Sequence, residues 1–165
     1  MRYLVLGAIA GACMVGSPVL AQTADPQIMA PITKFMDAFN KGDVAGAAAT
    51  HLADADLAII DEVPPYQWRG VQAFQTWAAD LERDDKKNGI TDESVRIGPA
   101  TRVETDGAAA YVVVPATYTI KQQGVAMRES AQMTFSLNKT PSGWLIHGWT
   151  WTGPRPSKAQ GATGK

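Results

Sequence analysis

The chain has 165 residues, with 15 Lys and Arg against 16 Asp and Glu, a formal charge of −1, and a single cysteine. Charge this close to balance, with no basic run, offers nothing to nucleic acid or to an acidic membrane surface. One thiol excludes an internal disulfide and a thiolate metal cluster.

Residues 1–21, MRYLVLGAIAGACMVGSPVLA, carry one basic residue, an apolar centre, Pro18 and the ending Val19-Leu20-Ala21. This is the pattern of a secretory signal peptide cleaved after Ala21. Glycines and Pro18 interrupt the apolar run, which is marginal against the ~20 residues that a membrane span needs. Lipidation at Cys13 is the alternative processing, but Ala10-Gly11-Ala12 before it lacks the usual leucine. Cleavage removes Cys13 and Arg2, leaving 14 basic residues against 16 acidic. The mature protein is expected in the periplasm or secreted, with no membrane attachment. Residues 22–165 then form one domain, its ordered core at about 28–152 and its tail, 154–165, flexible.

Asp25-Pro26 suits a helix start, Asp as N-cap and Pro in the first turn. Ile28, Ile32, Phe35, Met36 and Phe39 follow at helical spacing and form a stripe to be buried. Pro31 either kinks this helix or marks where order begins. Asn40-Lys41-Gly42 ends it, and Asp43 caps an alanine-rich helix reaching about Leu52. Leu57–Ile60 is a short strand that sets Leu57, Ile59 and Asp61 on one face. Pro64 and Pro65 forbid regular structure over Glu62–Gly70. A third helix starts near Val71, with Val71, Phe74, Trp77 and Leu81 on its stripe. The charged run Glu82–Gly89 reads as its solvated end.

Four strands follow, at about 94–104, 109–121, 125–138 and 143–152, joined by turn-like segments that make an antiparallel meander. In the second of them Val112, Val114, Ala116, Tyr118 and Ile120 face inward. In the third the inward set is Met127, Glu129, Ala131, Met133, Phe135 and Leu137. The last strand, GWLIHGWTWTG, holds three of the five tryptophans. Strict alternation puts Leu145, His147, Trp149 and Trp151 on one face, and with both faces apolar it reads as an inner strand. The layout is α+β: three helices on a curved, mainly antiparallel sheet enclosing a pocket.

Chemistry is expected where polar groups interrupt these apolar faces. Glu129 is a carboxylate on an inward face, which demands a raised pKa or a partner. Asp61 ends a strand after apolar residues on its own face. His147 lies between Leu145 and Trp149 and reads as a wall residue or a general base. Asp61, His147 and Glu129 are therefore the candidate catalytic groups. Tyr118, Trp149, Trp151, Met133, Tyr66 and Trp68 are the candidate ligand contacts, the last two lining a mouth or filling a corner. His51, at the end of the second helix, reads as structural. Two histidines without close spacing make no zinc site, and neither a Gly-x-Ser-x-Gly elbow nor a phosphate-cradling glycine loop is present. No metal or cofactor is expected.

Several stretches together resemble the nuclear transport factor 2-like superfamily, which includes ketosteroid isomerases and SnoaL-like polyketide cyclases. They are Phe35–Asp43, Leu52-Ala53-Asp54, Arg69-Gly70 and Gly143-Trp144-Leu145-Ile146, and the resemblance spans about residues 28–152. It implies a cone-shaped fold with an apolar cavity and pairing of two copies through the outer sheet face. The isomerase branch uses an aspartate base with a tyrosine and a protonated aspartic acid as oxyanion donors. On this pattern the base position falls on Asp61, the tyrosine position on Phe35 and the acid position on Met133. Both donors are lost, each worth about 3 kcal/mol or more of barrier, so steroid isomerisation is not expected. Tyr118 and Glu129 are possible replacements. Three readings follow: a small-molecule binding protein, an isomerase, cyclase or dehydratase using Asp61 or His147 as general base, and a dimeric scaffold. Thr117, Thr119, Ser130, Gln132 and Thr134 would form the wet contact of that scaffold.

Overall fold

The computed structural model describes residues 25–159, so the leader expected at 1–21 lies outside the described residues, as do residues 160–165. The first helix, α1 (Pro26–Asn40), is capped by the Asp25 carboxylate, which accepts from the Gln27 amide at 2.9 Å. Pro31 sits inside α1 and is buried, so the helix neither ends nor begins there. Asn40 fastens the far end of α1 to the sheet: its side chain donates to the Val95 carbonyl and accepts from the Val95 amide, both at 2.8 Å. The second helix, α2 (Val44–Ala48), is capped by Asp43 on Gly46 and is shorter than the alanine content suggests. Its continuation leaves the helix so that Leu52 N and Thr50 O can bond the backbone of Ile146 at 2.8 and 2.9 Å.

Strand β1 (Ala58–Ile60) pairs with β2 (Gln67–Arg69), so the segment expected to be wholly irregular re-enters the sheet two residues after Pro65. The next helix, α3 (Ala73–Asn88), starts two residues later than expected and leaves Val71 50% exposed, off the stripe assigned to it. Gly89 closes it in the left-handed region at φ 65°, a conformation that costs glycine little.

The remaining strands are β3 (Ile90–Ile97), β4 (Arg102–Asp106), β5 (Ala109–Gln122), β6 (Val125–Thr140), β7 (Gly143–Thr152) and β8 (Ser157–Lys158). The segment read as one strand over 94–104 is two, β3 and β4, which pair with successive halves of the long β5. The sheet order is β2-β1-β7-β6-β5-β3, antiparallel throughout except for β1 against β7. Strand β7 is therefore an inner strand. Residues 154–159 do not hang free as a tail: β8 pairs with Met127–Arg128 of β6, where β7 no longer covers that edge.

One irregularity in β7 decides which residues face the cavity. Leu137 pairs with Ile146 but Ser136 pairs with Gly148, so β7 carries an extra residue at His147. Such a bulge interrupts alternation and bends the strand. Ile146, Trp149 and Trp151 thereby share the inward face with their partners Leu137, Phe135 and Met133. Gly148 is required at the bend, because a Cβ there would stand 2.8 Å from the Ala58 carbonyl oxygen. Between sheet and helices, Ile28, Ile32, Phe35, Phe74, Ile59, Val112, Val114, Phe135 and Ile146 form the buried core, which ends short of the β5–β7 end carrying Tyr118 and Trp151.

Candidate functional site

Where the core ends, a cavity of about 500 Å³ opens between the sheet and helices α1 and α3. Its apolar wall follows from strand alternation: Trp149 and Trp151 from β7, Met133 from β6 and Tyr118 from β5 all point into it. Phe35 and Trp77 close it from the helix side, and the Trp77 and Trp149 rings meet edge to face at 5.0 Å. His51 holds the Trp149 ring in place, its Nε2 accepting from the indole N–H at 3.1 Å. Burial brings the imidazole pKa down to about 4, so His51 is neutral and can accept. That is the structural role its position in the sequence suggests. Tyr66, 56% exposed, stands at the mouth with φ 77°, a region that a bulky residue rarely occupies.

The polar wall is acidic. Asp61 follows β1 on the inward side, as Ile59 beside it does, and its carboxylate is held at both oxygens. Oδ2 accepts from Trp77 Nε1 and Oδ1 from the Glu62 amide, each at 2.7 Å. Burial raises its pKa against those two hydrogen bonds. Glu129 is 1% exposed, and its Oε1 accepts from Trp151 Nε1 at 2.8 Å. Among the described residues its Oε2 has no donor; the neighbouring Glu62 carboxyl supplies one only when it is protonated. Burial first, then the charge of Glu129, push Glu62 up to about 8, while burial raises Glu129 itself. This end is sealed by the returning chain, since a Cβ on Gly153 would lie 2.0 Å from Glu129 Oε1.

A second carboxyl pair lies on the other side. Tyr118 is the cross-strand partner of Glu129, and its hydroxyl donates to Glu93. Asp85 of α3 faces the same glutamate, and burial followed by the Glu93 charge takes it up to about 8. The Tyr118 phenol is pushed above its ordinary range by burial and by Glu93. Asp84 and Asp85 both line the cavity. Glu62 and Asp85 therefore each hold a proton near neutral pH beside a second carboxyl. Among the described residues no three His, Cys, Asp or Glu side chains converge as metal ligands.

Asp61, Met133, Tyr66, Tyr118, Trp149 and Trp151 line this one cavity, and Glu129 lies directly behind Trp151 and Gly153. Two expectations are corrected. His147 is the bulge residue, so it lies on the opposite face from Trp149 and meets Asp54 at 3.5 Å. Trp68 is 4% exposed beneath α3, donating to Asp80 at 2.8 Å, and does not reach the cavity. Sequence reasoning missed Glu62, Glu93, Asp84 and Asp85. The last two carried a usable signal: Trp77, Leu81, Asp84, Asp85 and Asn88 recur at helical spacing and all line the cavity. Glu93 carried none, because the register shift between Thr91 and Ser94 sets its direction.

Comparison with known proteins places this geometry in context. A family model described as a SnoaL-like domain matches residues 28–149. Among solved structures, the chain is similar to a nuclear transport factor 2-like superfamily protein from Salmonella enterica, at 17% identity and a TM-score of 0.64. That match covers 84% of this chain and 95% of the other. A ketosteroid isomerase-like protein from Erwinia carotovora atroseptica is 21% identical, with a TM-score of 0.59, over 78% of this chain and 95% of that one. A nuclear transport factor 2-like protein with a cystatin-like fold from Novosphingobium aromaticivorans is 16% identical, with a TM-score of 0.59, over 76% and 78%. No curated protein matches the chain. Likeness at these identities speaks for the fold.

Proposed function

The chain belongs to the SnoaL-like domain family of the nuclear transport factor 2-like superfamily, and from that premise we propose that it binds a small, largely aromatic molecule in its cone cavity. The observation that carries this is a cavity of about 500 Å³ kept open between Trp77, Trp149 and Trp151. Space of this size with aromatic walls and a few fixed polar groups suits a drug-sized ligand. Asp61 and Tyr118 supply the polar contacts. The leader at 1–21 supports a site of action in the periplasm or outside the cell. The exposed, polar outer face, with Thr119, Ser130 and Gln132, supports pairing of two copies through the sheet.

Native mass spectrometry of protein purified from its own export compartment tests the binding reading, with indole fluorescence as the second measurement. A co-purifying small molecule is expected, whose removal changes the emission of the cavity tryptophans. Protein that carries nothing, and whose fluorescence no aromatic fragment alters, would end the proposal.

Asp61 favours a second reading, acid–base catalysis on the bound molecule. Its carboxylate lines the cavity, and burial raises its proton affinity toward that of a useful base. Tyr118 or a protonated Glu62 would return the proton. Phe35 and Met133 offer no hydrogen bond to an oxyanion, which turns this reading away from steroid isomerisation and toward dehydration or cyclisation. Asp61→Asn would then abolish turnover while the aromatic walls still bind.

A further inference from the structure

We infer that the cavity selects a molecule carrying a protonated or quaternary amine on an aromatic body. This deepens the binding reading above and rests on it. Charge and aromatic surface carry the argument together. Four carboxyl residues, Asp61, Glu62, Asp84 and Asp85, line the cavity, and among the described residues Arg155 is the one cationic side chain on its wall. A cation is the ligand charge that this wall can answer, because Glu62 and Asp85 can give up the protons they hold near neutral pH.

The ring geometry fits a cation as well. Tyr118 and Trp151 stand edge to face at 6.0 Å, with Trp77 and Trp149 likewise perpendicular at 5.0 Å. All four line the cavity, and a cation lying over the face of such a ring is attracted by its negative potential. Behind the Trp151 ring, the buried Oε2 of Glu129 depends on the Glu62 proton for its donor. When that proton is given up, a positive charge nearby offsets the cost of the buried carboxylate.

Binding should also move protons. Glu62 is faced by Glu129, Asp61 and Arg155, and Asp85 by Glu93, Asp84 and Asp61. Glu62 and Asp85 hold protons near neutral pH because each is partly desolvated and faces a second carboxyl. A cation in their midst favours the ionised forms, so protons leave as it binds.

The test titrates the full chain with tryptamine, 3-ethylindole and indole-3-propionate by calorimetry in two buffers of different ionisation enthalpy. These probes share the indole and differ in charge. Tryptamine is expected to bind at least tenfold more tightly than 3-ethylindole, with a buffer-dependent enthalpy that reports proton release, and indole-3-propionate most weakly of all. Asp85→Asn should reduce tryptamine affinity five- to tenfold and 3-ethylindole affinity far less. Equal affinities for tryptamine and 3-ethylindole, or preference for the propionate, would overturn the amine and leave the aromatic pocket standing. If none of the three binds, the binding reading fails with it.

Discussion

Replacing Glu129 by glutamine isolates the energetics of the Glu62–Glu129 carboxyl pair. Glu62 binds its proton with a pKa of about 8 in the folded protein against an ordinary 4.5, through burial and the charge of Glu129. A carboxyl whose folded pKa is raised favours the native state below its unfolded value, and that advantage disappears as pH climbs to the folded value. Stability should therefore decline between about pH 4.5 and 8. A fully buried group displaced that far would cost about 5 kcal/mol, but Glu62 is an exposed residue, so solvent screening reduces this to about 1–2 kcal/mol. Glutamine at 129 removes the second charge, while its amide oxygen can still accept from Trp151. The titration of Asp85 is common to both proteins and cancels from the difference. Melts followed by circular dichroism from pH 5 to 9 should show the two proteins similar at pH 5. Burial of Glu62 remains in the variant, so it should be more stable at pH 9 by about 1 kcal/mol, about 3–4 °C in Tm for a domain of this size. Parallel curves, or a variant that loses more stability than the wild type at alkaline pH, would refute the paired-carboxyl account.

Gly153→Ala puts a methyl group 2.0 Å from Glu129 Oε1 and 2.8 Å from Ala131 Cβ, and should cost about 1–3 kcal/mol. Hydrogen exchange at Ala159, whose amide bonds Ala126 at 3.0 Å, should accelerate as the returning segment loosens. Trp149→Phe strands the buried Nε2 of His51, for a loss of about 1–3 kcal/mol in urea unfolding along with that of the packing around the indole. His147→Ala breaks only a half-exposed pair with Asp54 and should change stability by less than about 1 kcal/mol. It should leave indole binding unaltered; weakened binding would show that the bulge had been misplaced.

The helix stripes and the inward sets of β5 and β6 are legible in the sequence, because alternation holds without a break from Ala109 to Asn138. Asp61 and Glu129 were visible for the same reason, as polar groups interrupting an apolar series. His147 was misplaced because one bulge two residues before Trp149 inverts the order, and nothing local announces it beyond Gly148 itself. Asp84 and Asp85 were hidden by their charge. A run of acidic and basic residues at a helix end ordinarily belongs to solvent, and only continuing the Trp77–Leu81 period turns it toward the cavity. The C-terminal return was hidden as well, since two residues of strand following Pro156 leave no periodic trace.

The extra residue in β7 changes the phase of the strand by half a period, and this makes width and lining separable. Deleting one residue at 147–148 would let Ile146 and Trp149 keep Leu137 and Phe135 opposite them with ordinary spacing in between. Such a shortened chain would keep every ring and carboxyl of the wall but lose the local bend. The breadth of the cone could then be tuned for guests of different size without altering a single group that touches them.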